Sequence, residues 1–119
     1  MQTLRLAMAS PAEVWLTDFG DPYPGEPSSV RLALILGPGH IFEDRLPFII
    51  VAPLTTTRRG IALHIEIEPS LENGVDETSY VQCELLRSIN RRRTLTRVGR
   101  LDADNFRAVM SVVQSLLAT

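Results

Sequence analysis

Hydrophobic and polar residues alternate with period two along much of this chain, in segments too short for helices. In AEVWLTDF, residues 12–19, Val14, Leu16 and Asp18 share one face while Trp15, Thr17 and Phe19 share the other, which predicts a strand. Residues 62–67 alternate likewise, with Leu63, Ile65 and Ile67 against Ala62, His64 and Glu66. His64 thus belongs to the polar side of its strand and is expected to be a solvated surface histidine. Two further segments, residues 30–36 and 48–54, are almost continuously apolar and read as buried strands. Pro53 in the second cannot donate to a ladder, so an edge position or a bulge is expected there. Residues 78–89 form a last long strand region, bent near Glu84, and short strands are expected at residues 3–8 and 98–100.

Turn chemistry separates these segments. GDPYPGEPSS, residues 20–29, holds three prolines and two glycines and forms an exposed loop of unusual length, the kind of segment that carries function. GPG at 37–39 stops the second strand, and residues 40–46 form a loop or one helical turn. TTTRRG at 55–60 is a polar hinge, residues 69–77 a turn with an Asn-Gly step, and NRRRTLTR at 90–97 a basic loop. Only the final segment has helical spacing, through Phe106, Val109, Met110, Val113 and Leu117. Asp102 suits its N-cap, Leu101 and Phe106 a hydrophobic staple, and Asp104 the positive end of the helix dipole. Many short strands followed by one helix predict a mainly β fold, a small half-open barrel with a C-terminal helix. The chain reads as a single domain over residues 1–119, with 1–11 as an N-terminal extension.

Composition narrows the function. With 119 residues the chain supports one modest core. A net charge of −2 excludes a generally basic nucleic-acid binder and leaves room only for a local patch. All twelve basic residues are Arg, each able to grip phosphate with a planar fork. Cys83 is the only cysteine, so no intrachain disulfide forms; it reads as a small buried hydrophobe and fits a reducing cytoplasm. No apolar run approaches the roughly 18 to 20 residues of a membrane helix. Walker, GxGxxG, GxSxG and EF-hand patterns are absent, and His40, His64 and Cys83 are too few and scattered for zinc. No metal or cofactor is expected, which leaves chemistry to Arg, Thr, Glu, Asp and His.

Arg31 stands at the mouth of the apolar strand within SSVRLALIL, and Thr55 closes the run IIVAPLT. A guanidinium and a hydroxyl at two strand ends suit joint capture of one phosphate. Around them the chain resembles the MazF/PemK (Kid) toxins of bacterial toxin–antitoxin systems. AEVWLTDFG looks like that family's first strand, and Arg31 follows Asp18 at the family's spacing for its Arg-Pro. LPFIIVAPLTTTRR, residues 46–59, resembles the strand ending in a Pro-x-Thr step, and SYVQCELLRSINRRR, residues 79–93, the acid-Gln-x-Arg-Thr-Ile-Asp segment. The likeness spans residues 12–118. It departs from the pattern where Leu32 replaces Pro, where Leu85 replaces Gln, and where Ala12 and Glu13 stand at the positions of the usual Gly and acid.

The resemblance implies an SH3-like (CcdB/MazF-like) barrel, a homodimer, and metal-independent cleavage of single-stranded RNA. It also implies a MazE-like antitoxin that lays a flexible acidic C-terminal segment across the RNA groove. RNA brings its own nucleophile, the 2′-OH, so the protein need only align it, move protons and stabilise charge. By that resemblance Arg31 holds the phosphate, Thr55 donates a hydroxyl to it, with Thr56 as substitute, and Glu84 is the general base. Gln82 and Arg87 would contact RNA, Tyr23 and Glu26 in the long loop would cover it, and Arg58, Arg59 and residues 91–93 would rim the groove. The structural alternatives are a surface ion pair for Arg31, a turn cap for Thr55, and for Glu84 an ion pair with Arg87 or residues 91–93. Two other functions share the fold: a CcdB-like gyrase poison, disfavoured because Trp15 lies far from the C-terminus, and a catalytically weakened binding relative.

Overall fold

The alternating segments pair into one antiparallel sheet. The computed structural model describes residues 9–21, 24, 29–39 and 46–117. The expected strand at residues 3–8, the segment 40–45, and Tyr23 and Glu26 lie outside the described residues. In chain order the elements are β1 (Glu13–Asp18), β2 (Val30–Gly37), β3 (Phe48–Thr55), β4 (His64–Ile67) and β5 (Ser79–Gln82). A 3-10 turn (Cys83–Leu85), β6 (Arg87–Asn90), a second 3-10 turn (Arg91–Arg93), β7 (Thr94–Arg100) and α1 (Ala103–Leu117) follow. The strands lie in the order β4-β5-β3-β2-β1-β7, with β6 also alongside β3. Among the described residues β4 and β7 do not pair, so the sheet stays open, and the expected half-open barrel with a C-terminal helix is found.

β3 changes partner halfway. Its residues 48–51 pair with β6, and Leu54 and Thr55 pair with β5. Pro53 falls between the two partners, so its missing N–H is tolerated there. The expectation of an edge strand or bulge at Pro53 is therefore corrected: the strand is central and the proline fully buried. The partner segment turns at Cys83–Leu85, which gives the bend expected near Glu84. The segment at 90–97 is also not a loop. Asn90 caps the second 3-10 turn by accepting the Arg92 N–H at 2.9 Å, and residues 94–97 extend β7. Their Thr-Leu-Thr alternation suits a strand once β1 offers an edge to pair with.

Both sheet faces carry apolar side chains. One face, with Leu34, Ala52, Leu54, Ile67 and Val81, packs under Val109 and Val113 of α1. Full burial of each valine contributes on the order of 1.5–3 kcal/mol relative to exposure. The other face gathers Ala33, Ile35, Ile49, Val51 and Ile89 with Phe19, and Trp15 packs against them. β2 and β3 are thus covered on both sides, which explains their unbroken apolar runs. At the start of α1 the Asp102 carboxylate accepts the Asn105 N–H at 3.0 Å, and that bond holds its pKa below the ordinary value. Leu101 is buried in the core and Phe106 packs against the same cluster, the placement a staple needs. Leu117 departs from expectation: it is 68% exposed, beyond the last turn that reaches the sheet.

Candidate functional site

The strand pleat decides which side chains share a surface. Leu32, Leu54, Ile65, Ile67 and Val81 belong to the face under α1, so Arg31, Thr55, Glu66 and Tyr80 point from the opposite face. Ala33 pairs with Pro53, and the same register two residues on sets Arg31 beside Thr55. Thr55 pairs with Tyr80, and Tyr80 with Glu66. Arg31, Thr55, Tyr80 and Glu66 therefore form a row across four strands, at the usual spacing of about 4.8 Å per strand. In the next row Gln82 pairs with His64.

Arg31 is half-buried at the start of β2. Its Nε donates to the Leu54 carbonyl at 2.9 Å, and its Nη2 donates to the same oxygen. Burial lowers the guanidinium's pKa from its ordinary value, and the group stays a cation. The bonds to Leu54 fix its plane and leave the remaining N–H groups for a ligand. Beside it opens a cavity of about 290 Å³ lined by Arg31, Leu32, Leu54, Thr55, Thr56 and Ser79. Thr55 Oγ1 accepts the Thr57 N–H at 3.1 Å, which orients the hydroxyl and leaves its own hydrogen to donate. Thr56 is exposed at the cavity's rim, and the buried Ser79 hydroxyl donates to the Glu77 carbonyl at 2.9 Å. Arg58 and Arg59 are exposed on the segment beyond.

Glu84 lies on the first 3-10 turn and makes no ion pair with Arg87 or with residues 91–93. It accepts instead from His64 Nε2 at 2.8 Å. The solvated-surface reading of His64 is thereby corrected: its side chain is 2% exposed, against 30% for Glu84. Alternation separated His64 from Leu63 and Ile65 but could not show the 3-10 turn whose Glu84 it meets. Gln82 is buried as well, beneath the surface row rather than on it. Burial first, and then the charge of Glu84, push the Cys83 thiol up to about 11, so it is inert packing, as read from the sequence.

The basic residues divide. Arg87, opposite Val51, lies 5.7 Å from the centre of the Phe19 ring. Arg91 is no rim residue: it is buried, with Nε donating to the Leu46 carbonyl at 2.9 Å and Nη1 to that of Ala9 at 3.2 Å. Arg92 and Arg93 are exposed. Sequence reasoning missed Ser79, Tyr80, Glu66 and the partner of His64. Period two gave the faces of Glu66 and His64, but only strand register shows that Glu66 and Tyr80 align with Thr55.

A fixed cation, an oriented hydroxyl, a phenol and a carboxylate in one row suit an anionic ligand that carries rings. An open antiparallel barrel with one C-terminal helix defines a small, mainly β protein. The model of the PemK-like, MazF-like toxin of type II toxin–antitoxin system matches residues 10–117, and the chain belongs to that family. Solved structures share the fold. MazF from Deinococcus radiodurans is 21% identical, over 94% of this chain and 98% of that one, with a TM-score of 0.79. The Mycobacterium tuberculosis toxin MazF-mt6 is 22% identical over 88% and 95%, with a TM-score of 0.71. An endoribonuclease in complex with its cognate antitoxin, from a mycobacterial species, is 17% identical over 92% and 94%, with a TM-score of 0.75.

Proposed function

We propose that the chain is a toxin that cleaves single-stranded RNA as a metal-independent endoribonuclease. The observation that carries this reading is the Arg31 guanidinium, fixed on the Leu54 carbonyl, beside the donor-ready Thr55 hydroxyl at one cavity. In the reaction the 2′-oxygen bonds to phosphorus and the P–O5′ bond breaks. The 2′-OH proton passes to the Glu84 carboxylate and the leaving 5′-oxygen takes a proton from solvent water, giving 2′,3′-cyclic phosphate and 5′-OH ends. Arg31 and Thr55 stabilise the charge that builds on the phosphorane oxygens, the interaction that lowers the barrier most directly. Glu84 is held by His64, which lies on β4 one row from Glu66 and Tyr80, and is partly exposed, as a base that meets substrate must be. Thr56 and Arg58 extend the surface for the RNA backbone, and Tyr80 offers a ring for a base. Arg87, with Tyr23 and Glu26 of the long loop, completes the RNA contacts implied by the family resemblance, while Gln82, buried in the next row, has little exposed surface to offer RNA.

Two relatives' structures hold partners: MazE with MazF from Deinococcus radiodurans, and the mycobacterial endoribonuclease with its antitoxin. For this chain the corresponding partner is a MazE-like antitoxin whose acidic, flexible C-terminal segment competes with RNA for Arg31. The protein acts as a homodimer in the cytoplasm, where its substrate is; no helix among the described residues is long and apolar enough to cross a membrane. The test is direct. Purified protein in EDTA is expected to cut a long single-stranded RNA, to leave 2′,3′-cyclic phosphate ends, and to spare DNA of the same sequence, which lacks the 2′-OH. Intact RNA under those conditions rejects the reading.

A further inference from the structure

The least economical feature of the sheet is His64. Its side chain is 98% buried, since only 2% is exposed, yet its Nδ1 has no hydrogen-bond partner among the described residues. Its cross-strand neighbour Gln82 has a buried Oε1 in the same condition. With a bare Nδ1, the imidazole satisfies only one polar contact, Nε2–H donating to Glu84 Oε2 at 2.8 Å. A position that served packing alone would favour an aliphatic side chain, because burying an acceptor without a donor is unfavourable. The neighbouring backbone already anchors this corner: Cys83 N–H donates to the Leu63 carbonyl at 3.3 Å, and His64 N–H to that of Ile61 at 3.1 Å. His64 is therefore not needed to tie β4 to the 3-10 turn. What it adds is control of one carboxylate.

We propose that His64 is a positioning residue that holds the Glu84 carboxylate for proton abstraction. The inference rests on the function proposed above, with Glu84 as general base. By engaging Oε2, His64 restrains the carboxylate of the partly exposed Glu84 and leaves Oε1 to receive the 2′-OH proton. It touches no substrate atom, and no proton need leave it. The orphaned acceptors are tolerated because the site is organised for the reaction rather than for stability.

The experiment compares His64→Leu, His64→Gln and Glu84→Gln, and the double variant His64→Leu/Glu84→Gln, as full-length proteins. The substrate is an RNA oligonucleotide built around a cut site mapped with the wild type. Glutamine can place an N–H where Nε2–H stands; leucine cannot. Removing a general base costs roughly 10² to 10⁴ in rate, so losing its alignment in His64→Leu is expected to lower kcat about 10- to 100-fold. KM should stay near the wild-type value and the melting temperature should be unchanged or higher. His64→Gln should recover most of the rate, and adding His64→Leu to Glu84→Gln should cost nothing further. Wild-type kcat in His64→Leu, a loss that tracks a lower melting temperature, or an undiminished loss in the Glu84→Gln background overturns the proposal. Cleavage by the wild type with full activity in Glu84→Gln overturns it too, and leaves the ribonuclease reading standing. No cleavage by the wild type rejects that reading and this one with it.

Discussion

At Arg31, charge and hydrogen-bond geometry are separate requirements. Part of the fork is committed to the Leu54 carbonyl, and the rest faces the cavity. A lysine keeps the charge but concentrates its donors on one atom, so it cannot hold the carbonyl and grip a phosphate in two places at once. Arg31→Lys and Arg31→Ala are both expected to lose roughly 10² to 10³ in kcat, the scale for deleting one transition-state donor. Single-turnover cleavage of RNA measures this, and full activity in Arg31→Lys shows that charge alone suffices. Ala12 carries a different strain. Its φ is +76°, a left-handed backbone that costs an L-residue about 1–2 kcal/mol. It is held there because its N–H donates to the Ile35 carbonyl at 2.9 Å while its own carbonyl accepts the Leu101 N–H at 2.7 Å. Ala12→Gly relieves the strain but gives the unfolded chain more freedom, a cost of about 0.4–1 kcal/mol. A net stabilisation on the order of 0.5–1 kcal/mol is expected in denaturant titrations. The resemblance read from the sequence expects glycine here, and that departure has its consequence in the backbone.

Between elements, one carboxylate ties β1 to its neighbours. Glu13 Oε1 accepts the Ser10 N–H at 2.9 Å and the Trp15 indole N–H at 3.0 Å, while Oε2 accepts Arg97 Nε–H at 2.9 Å. Partial burial pushes its pKa up, but the bonds from Ser10, Trp15 and Arg97 outweigh that, and the folded value lies below the ordinary 4.5. A depressed folded pKa means stability that is present above the unfolded value and lost as pH falls through the folded one. Wild type is therefore expected to melt above Glu13→Gln at neutral pH, with the gap closing below about pH 4.5 as the carboxyl protonates. A gap independent of pH shows that the charge is immaterial. How much of the fold could be read in advance also depends on this scale. Alternation and apolar runs yielded β1, β2, β3, the bend at Glu84 and the capped helix, because those signals are local to each segment. Pairing is not local. It makes Pro53 a central residue, turns a basic stretch into β7, and buries His64 beneath Glu84. For the site, family resemblance singled out Arg31 and Thr55, whereas Tyr80 and Glu66 emerge only from the register of four strands.

For the whole molecule, the helix covers only part of the sheet. α1 lies over Ala52 and Leu54 but not over the other end of β3, where Phe48 is 50% and Ile50 39% exposed on the same face. Leu46, just before the strand, is 44% exposed. Large side chains two residues apart on one strand face form a ridge, and a ridge that meets its own copy across a two-fold axis buries both. Sedimentation of the native chain is expected at twice its 13.2 kDa monomer mass. The paired change Phe48→Asp and Ile50→Asp should give a monomer, because each charge would be buried unpaired in the interface. Leu95→Asp alters an equally exposed residue, 51% accessible on β7, and should stay dimeric. A dimer that survives both aspartates places the interface elsewhere. If the ridge is the interface, melting of the native protein must also depend on concentration, since association stabilises the folded state by mass action. That dependence should vanish in the doubly charged variant, which separates loss of the dimer from simple loss of core packing.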